Sequence, residues 1–158
     1  LYGVMIGVEQ EGKSIAGAVF IPPLNDLVVA ERGRGCLWNG KPARTSKTSK
    51  LSDALLLTTD IASSYRHGRG PVWEKLSAGA RLVRTWGDCY GHILVATGRA
   101  DVMVDPIMNP WDCAALQVIL EEAGGTFTDY QGNATIYGDC AISTNGPLLN
   151  EVLAITRG

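Results

Sequence analysis

The sequence predicts an α/β fold in which an antiparallel sheet is followed by a layer of alternating strands and helices. Three β-rich runs separated by short turn segments open the chain, and this pattern is typical of an antiparallel meander. From residue 54 onward, short apolar runs alternate with segments of helical periodicity, which indicates an α/β unit. We therefore divide the chain into an incomplete first sheet, residues 1–48, and a second α/β layer, residues 49–158.

The meander is predicted to contain three strands, at residues 2–9, 14–21 and 26–32. Turn residues separate these strands at residues 10–13 and 22–25. Asn39-Gly40 is a strong hairpin signal. The glycines of residues 33–35 lack the strand-to-helix setting and the Lys-Ser/Thr ending of a phosphate-binding loop, so turns are predicted there as well.

The second part is predicted to contain five short strands, four helices and one polar loop. The strands are expected at residues 54–59, 82–85, 102–104, 126–128 and 140–143. The helices are expected at residues 72–80, 88–97, 109–125 and 148–155. The polar loop is expected at residues 63–71, where His67 should be exposed to solvent. His92 falls within an apolar helix and is predicted to be a packed core histidine.

The helix at residues 109–125 carries sequence signals for both of its ends. Asn109 can cap the N terminus, and Pro110 suits the first helical position, where no amide donor is needed. Gly124 and Gly125 favour a left-handed end. One buried apolar stripe is predicted from residues at three- and four-residue spacing, namely Trp111, Ala114, Ala115, Val118, Ile119 and Ala123.

Asp112 lies in the first turn of that helix, where free backbone amides favour a carboxylate. Beside a buried Trp111, Asp112 would be a rigid ligand aimed in one direction. The alternative is that Asp112 only stabilises the start of the helix.

Length, charge and cysteine content limit the class of protein. The 158 residues suffice for one compact domain with a hydrophobic core. The chain has 14 basic and 16 acidic residues, without the basic excess that would indicate nucleic acid as a partner. No apolar run approaches the length that crosses a bilayer, so no membrane partner is expected. The four cysteines form no CxxC pair and are expected to be buried, reduced thiols of a cytoplasmic protein.

Three carboxylates are predicted at the ends of elements in the second part of the chain. Asp88 begins a helix, Asp105 ends a strand, and Asp112 begins the next helix. Elements that end together often frame a cleft at the edge of a sheet. Carboxylates that converge there repel each other unless cations balance them, and oxygen-rich sites of this kind suit Mg²⁺. The alternative is three separate capping residues.

Several motifs together resemble the inositol monophosphatase family of Mg²⁺-dependent phosphatases. Trp111-Asp112, then Ala114-Ala115, an apolar run and EAGG at residues 122–125 are similar to the C-terminal signature of that family. Matching segments elsewhere are LVATGRAD at residues 94–101 and Gly33-Arg34-Gly35 with Asn39-Gly40. The resemblance covers nearly the whole chain. It implies a layered α-β-α-β-α sandwich, of which this chain would supply the later first sheet and the second α/β layer.

Within the family, two segments resemble histidinol-phosphate phosphatases most, WGDCYGH at residues 86–92 and DPIMNPWD at residues 105–112. The resemblance implies that Gly87, Asp88 and Asp105 contact substrate, and that Asp112 is a metal ligand and the catalytic residue. Inositol-specific members usually carry small neutral residues where Asp88 stands. A carboxylate there would suit an amino or imidazolium group better than a sugar hydroxyl, because charge-assisted hydrogen bonds are stronger. The expected substrate is therefore histidinol phosphate, an intermediate of L-histidine biosynthesis; the alternatives are inositol-1-phosphate and a related sugar or nucleotide phosphate.

The other metal ligands of the family do not occur in this sequence. They are a glutamate in an upstream helix and two aspartates of a DP[IL]DGT motif, which the family pattern would place just before Leu1. The chain is therefore expected to be an N-terminally incomplete piece with little or no activity of its own. An alternative of another class is a non-catalytic fragment or subunit that keeps the fold. The resemblance further implies that the intact protein is a homodimer that uses clustered Mg²⁺ ions.

Overall fold

The computed structural model describes residues 2–158, which form two five-stranded sheets and five α-helices. The first sheet is an antiparallel meander in which each strand pairs with the next along the chain. Its strands are β1 (Val4–Gln10), β2 (Lys13–Ile21), β3 (Asp26–Glu31), β4 (Gly35–Trp38) and β5 (Lys41–Pro42). The predicted meander is confirmed, and two further short strands extend it.

Two of its hairpins have two-residue turns with positive φ at both positions. Asn39 and Gly40 have φ of 49° and 78° between the paired residues Trp38 and Lys41. This is the conformation of a type I′ turn, which matches the twist of antiparallel strands. The side-chain oxygen of Asn39 accepts a hydrogen bond of 2.8 Å from the Leu27 amide, so the turn is also tied to β3. The hairpin predicted at Asn39-Gly40 is thus confirmed.

The second sheet has the order β7-β6-β8-β10-β9. Its strands are β6 (Leu55–Leu57), β7 (Leu82–Arg84), β8 (Val102–Asp105), β9 (Thr126–Thr128) and β10 (Ala141–Thr144). β6 runs parallel to both of its neighbours, whereas β10 is antiparallel to β8 and β9. The helices are α1 (Ile61–Arg66), α2 (Gly70–Gly79), α3 (Asp88–Ala96), α4 (Pro110–Glu122) and α5 (Leu149–Thr156). The predicted α/β class is confirmed.

The loop predicted at residues 63–71 is wrong, because α1 and the first turn of α2 occupy most of this segment. Local contacts outweigh the polar composition here. The Asp60 side chain caps α1 by accepting a 3.0 Å hydrogen bond from the Ala62 amide, and it also pairs with Arg66 at 2.6 Å. Pro71 lies in the first turn of α2, where its missing amide costs nothing. His67 is exposed, as predicted.

The described residues form alternating layers of sheet and helix. α3 and α4 lie between the two sheets, and one hydrophobic core there joins Val19, Val95, Leu116, Ile119 and Phe127. α2 and α5 cover the other face of the second sheet, where a second core forms. None of the helices within residues 2–158 has both the length and the apolar character needed to cross a membrane.

α4 approaches the first sheet unusually closely. Gly7 and Gly17 pair directly across β1 and β2. A Cβ atom on Gly17 would lie only 2.4 Å from the Ala115 carbonyl oxygen. Both strands therefore need glycine where the helix backbone crosses them.

Candidate active site

A cleft of about 250 Å³ opens where β6 and β8 end and where α3 and α4 begin. The C-terminal ends of these parallel strands meet at the same edge of the sheet, which is where ligands bind in open α/β sheets. Asp88, Asp105 and Asp112 all line the cleft, together with Asp60. The structure therefore brings the three carboxylates predicted at element ends into one place and adds a fourth.

Asp105 is the most firmly held of these carboxylates. It ends β8, and only 3% of its surface is exposed. Thr59 binds both of its oxygens, with the amide donating to Oδ1 at 3.1 Å and the hydroxyl donating to Oδ2 at 3.0 Å. His92 Nε2 lies 3.3 Å from the same Oδ2, and His92 Nδ1 lies 2.7 Å from the Ser143 hydroxyl. These contacts fix the direction in which Asp105 can meet a ligand.

His92 is fully buried, so the prediction of a packed histidine is confirmed. Its contact with Asp105 adds a role that periodicity did not indicate.

Asp88 stands at the start of α3 in a backbone conformation that is rare for a residue with a side chain. Its φ is +53°, and such a conformation costs about 1–3 kcal/mol unless the surroundings impose it. The Asp88 amide donates a 2.8 Å hydrogen bond to the Thr59 hydroxyl. The Asp88 side chain is exposed at the mouth of the cleft, where it is accessible to a ligand.

Gly87 precedes Asp88 and packs directly on Thr59. A Cβ atom at Gly87 would lie 2.8 Å from the Thr59 Cα, so any other residue would push the two backbones apart. Gly87 does not line the main cleft but a small depression beside it, together with Asp88. Its predicted contact with substrate stays a prediction.

Asp112 lies in the first turn of α4 and is partly buried. Its Oδ2 accepts hydrogen bonds from the Asn109 amide at 3.0 Å and from the Asn109 side-chain nitrogen at 3.2 Å. Both bonds reach the same oxygen, which leaves Oδ1 for a ligand in the cleft. Helix capping and ligand binding are therefore compatible at Asp112.

The prediction that Trp111 is buried beside Asp112 is wrong. The Trp111 surface is 73% exposed, and Ala115 is the first residue of the predicted stripe to be fully buried. At Gly7, β1 packs against Ala114 and Ala115, one helical turn beyond Trp111. Asn109, rather than Trp111, holds the Asp112 carboxylate.

The cleft also contains hydroxyl and carboxyl side chains that were not predicted from the sequence, namely those of Thr59, Asp60 and Ser63. Asp60 lies shortly after the buried strand β6, between that strand and α1, so the rule that selected carboxylates at the ends of elements would have found it, whereas Thr59 is not a carboxylate. The hydrogen bond from Arg66 holds the pKa of Asp60 below its ordinary value. Ser63 lies on α1, a helix that was not predicted because its sequence is polar.

Cys89, which lines the cleft, is a poor nucleophile. Burial, followed by the nearby Asp88 charge, raises the pKa of Cys89 to about 11. A thiol with that pKa stays protonated at neutral pH and is a poor nucleophile. All four cysteines are buried and unpaired within the described residues, as predicted.

Acidic side chains predominate over basic ones in the described wall of the cleft. Four aspartates line it, and the described residues of its wall include no lysine or arginine. Between residues 2 and 158 no three His, Cys, Asp or Glu side chains are grouped so that they could hold a metal ion. Asp112 fits as one oxygen ligand of a hard cation, but this chain does not supply a complete coordination sphere.

Comparison with known proteins identifies relatives along the whole chain. The sequence model of the inositol monophosphatase family matches residues 1–157. A histidinol-phosphatase of Chlorobaculum parvum is 44% identical over 160 aligned residues, which cover 100% of this chain and 62% of the relative. A fructose-1,6-bisphosphatase/inositol-1-monophosphatase of Thermotoga maritima is 31% identical and aligns with 99% of this chain and 60% of its own length.

The fold has close counterparts among solved structures. An inositol monophosphatase from Zymomonas mobilis superposes with a TM-score of 0.92 at 25% sequence identity, covering 99% of this chain and 62% of the other. The chain thus spans about three-fifths of the length of the relatives it matches.

Proposed function

Because this chain belongs to the inositol monophosphatase family, we propose that the full-length protein is a cation-dependent phosphatase acting on small phosphate monoesters, with histidinol phosphate as its substrate. The observation that carries this proposal is the convergence of Asp60, Asp88, Asp105 and Asp112 on one cleft. Asp60 is already paired with Arg66, but a phosphate ester would be repelled by the other three carboxylates unless a cation lay between them. Such a cleft suits a bound divalent cation together with a substrate that is itself positively charged.

Asp112 is the residue proposed to bind that cation, and Mg²⁺ is the proposed ion. Mg²⁺ prefers carboxylate and phosphate oxygens and keeps several of its waters. When bound, it would polarise the phosphate and lower the pKa of a water molecule. Asp112 contributes a carboxylate whose orientation is fixed by Asn109. We further propose that the 158-residue chain alone is weakly active or inactive, because it supplies one ligand of the expected set.

Asp88 and Asp105 are proposed to bind the alcohol part of the substrate. Histidinol phosphate carries an amino group and an imidazole, both of which can be positively charged. The exposed Asp88 carboxylate at the mouth of the cleft would form a charge-assisted hydrogen bond with either group, and such bonds are about twice as strong as neutral ones. The 44% identity with a histidinol-phosphatase supports the same substrate.

Inositol-1-phosphate or a related sugar phosphate is the second candidate. The observation that favours it is the 31% identity with a relative named for fructose-1,6-bisphosphate and inositol-1-phosphate. The two candidates differ in charge, since inositol has only neutral hydroxyls with which to meet Asp88.

A substrate panel on the full-length protein tests the proposal. Hydrolysis of histidinol phosphate, inositol-1-phosphate and adenosine bisphosphate is measured with and without Mg²⁺, alongside an Asp88→Asn variant. We expect histidinol phosphate to be preferred. The variant should lower kcat/KM for histidinol phosphate by about tenfold to a hundredfold. Its kcat/KM for inositol-1-phosphate should change by less than about threefold.

Asp53→Asn is the matched control, because Asp53 is exposed and lies outside the cleft. This variant should leave kcat/KM unchanged for both histidinol phosphate and inositol-1-phosphate. A wild-type preference for inositol-1-phosphate would overturn the choice of substrate. A full-length protein that hydrolyses none of the three esters would instead support the non-catalytic alternative.

A further inference from the structure

Thr59 connects the Asp105 carboxylate to the backbone of Asp88, the two residues proposed to bind the alcohol part of the substrate. It follows β6 directly after Thr58, and Asp105 ends the neighbouring parallel strand. Thr59 donates to Asp105 through both its amide and its hydroxyl. The same hydroxyl oxygen accepts the amide hydrogen of Asp88 at 2.8 Å. One side chain thus contacts the elements that carry both carboxylates.

The directions of these bonds agree with the chemistry of a hydroxyl group. A threonine hydroxyl has one hydrogen to donate and lone pairs with which to accept. Its hydrogen goes to Asp105 Oδ2, and a lone pair receives the hydrogen of the Asp88 amide. Bonds in such a chain polarise and strengthen one another in a site of low dielectric constant. Removing the hydroxyl would therefore weaken both ends of the chain together.

The backbone around Asp88 shows why this connection matters. The φ of +53° at Asp88 is not the intrinsic preference of aspartate. Gly87 packs on Thr59 with no room for a side chain, and the amide of Asp88 points at the Thr59 hydroxyl. These two contacts hold the start of α3 against the end of β6. The Asp88 carboxylate therefore depends on Thr59 for its position.

We propose that Thr59 is a positioning residue that sets the spacing of Asp88 and Asp105 and so determines selectivity for the alcohol part of the ester. The proposal rests on the proposed function of the cleft. It predicts that the Thr59 hydroxyl acts on substrate binding rather than on bond cleavage at phosphorus, because neither of its bonds reaches the Asp112 side of the cleft.

The test compares Thr59→Val, Thr59→Ser and Thr58→Val in the full-length protein. Valine removes the hydroxyl at nearly constant volume, and serine restores it. Thr58→Val is the matched control, because Thr58 is fully buried and its hydroxyl has no hydrogen-bond partner among the described residues. Each variant is assayed with two esters. The first is the ester that the wild type hydrolyses best; the second is 4-nitrophenyl phosphate, which has no polyol or amino group to contact Asp88 and Asp105.

We expect Thr59→Val to raise KM for the preferred ester about tenfold, the equivalent of about one hydrogen bond to a charged group. Its kcat should change less than about threefold, and KM for 4-nitrophenyl phosphate should stay within about twofold. Thr59→Ser and Thr58→Val should resemble wild type. The proposal would be overturned if Thr59→Val raised KM equally for both esters. It would also be overturned if Thr59→Val and Thr59→Ser raised KM for the preferred ester equally.

Amide hydrogen exchange at Asp88 separates this proposal from the proposed function. Thr59→Val should accelerate that exchange about tenfold or more, whereas Thr59→Ser and Thr58→Val should leave it unchanged. If wild type hydrolyses no ester, the proposed function fails, and exchange alone decides whether Thr59 positions Asp88. Unchanged exchange in Thr59→Val would overturn the proposal whatever the activity.

Discussion

The two carboxylate oxygens of Asp112 differ in their hydrogen bonds among the described residues. Oδ2 accepts both hydrogen bonds from Asn109 and so stabilises the first turn of α4. Oδ1 remains for the cleft, where Asp112 is the proposed ligand of a cation. The choice between a cap and a ligand is therefore not exclusive, and substitutions at this position can separate the two contributions.

Asp112→Asn and Asp112→Ala in the full-length protein should differ in stability but not in activity. Asparagine keeps an oxygen that can accept the capping bonds but loses the charge, so hydrolysis should fall by about a hundredfold or more and should need higher Mg²⁺ concentrations. Alanine should show the same loss and also lower the free energy of unfolding by about 1 kcal/mol. Mg²⁺-dependent kinetics and urea unfolding measure these effects. Nearly normal Mg²⁺ dependence in Asp112→Asn would show that Asp112 only caps the helix.

At the scale of residues, the sequence correctly predicted those cleft residues that lie at the ends of strands and helices. Asp88, Asp105 and Asp112 were selected in this way, and all three line the cleft. Thr59 could not be selected by its chemistry, because a threonine at the end of an apolar strand has no signal that distinguishes it from Thr58. Only the three-dimensional structure shows that Thr59 contacts Asp105 and Asp88 while the Thr58 hydroxyl has no partner in the described part of the chain.

At the scale of elements, helical periodicity predicted the buried face of α4 but not its limits. Ala115, Val118 and Ile119 are buried as expected, whereas Trp111 is exposed. Periodicity states which side of a helix is apolar, not where the neighbouring sheet begins. Gly7 of the first sheet packs against Ala114 and Ala115, one helical turn beyond Trp111. The far end of α4 is fixed by Glu122, whose carboxylate accepts 2.8 Å hydrogen bonds from the amides of Gly33 and Gly35.

Gly17→Ala should disrupt the contact between α4 and the first sheet. The added methyl group would lie 2.4 Å from the Ala115 carbonyl oxygen and 2.9 Å from the Val118 side chain. Since the first of these atoms is backbone, relief requires the helix to move, and we expect the free energy of unfolding to fall by about 1–3 kcal/mol. Ala18→Ser also adds one heavy atom on β2 but on the opposite, partly exposed face, and it should change stability by less than about 0.5 kcal/mol. Urea unfolding of both variants checks the difference; equal stabilities would mean that the layers are loosely packed.

At the scale of the whole molecule, the four cysteines are distributed over both hydrophobic cores. Cys36 lies on β4, Cys89 on α3 and Cys113 on α4, while Cys140 immediately precedes β10. Burial is the largest cause of a raised pKa at each, to about 12 at Cys113 and about 11 at the other three. In the unfolded chain these thiols return to an ordinary pKa of about 9. The difference couples stability to alkaline pH.

The sign follows from proton binding. Between about pH 9 and 11 the folded protein keeps protons on its thiols that the unfolded chain has lost, so the free energy of unfolding must decrease as the pH rises. The thiols' contribution is fully present below about pH 9 and is lost as the pH passes through the folded pKa values. Each thiol contributes a slope of at most about 1.4 kcal/mol per pH unit. Stability should therefore fall steeply above pH 9, well before backbone damage intervenes.

Cys113→Ala tests whether the thiols cause that fall. The variant removes one titrating group from the core, so its stability should decrease less steeply than that of wild type between pH 9 and 11, even though the cavity lowers stability at neutral pH. Val118→Ala leaves a comparable cavity in the same helix without changing any titrating group, and its curve should run parallel to wild type. The measurement is urea unfolding at intervals of half a pH unit from 7 to 11. Parallel curves for all three proteins would mean that Cys113 has the same pKa in the folded and unfolded chains. That result would contradict the rise in pKa expected from its burial.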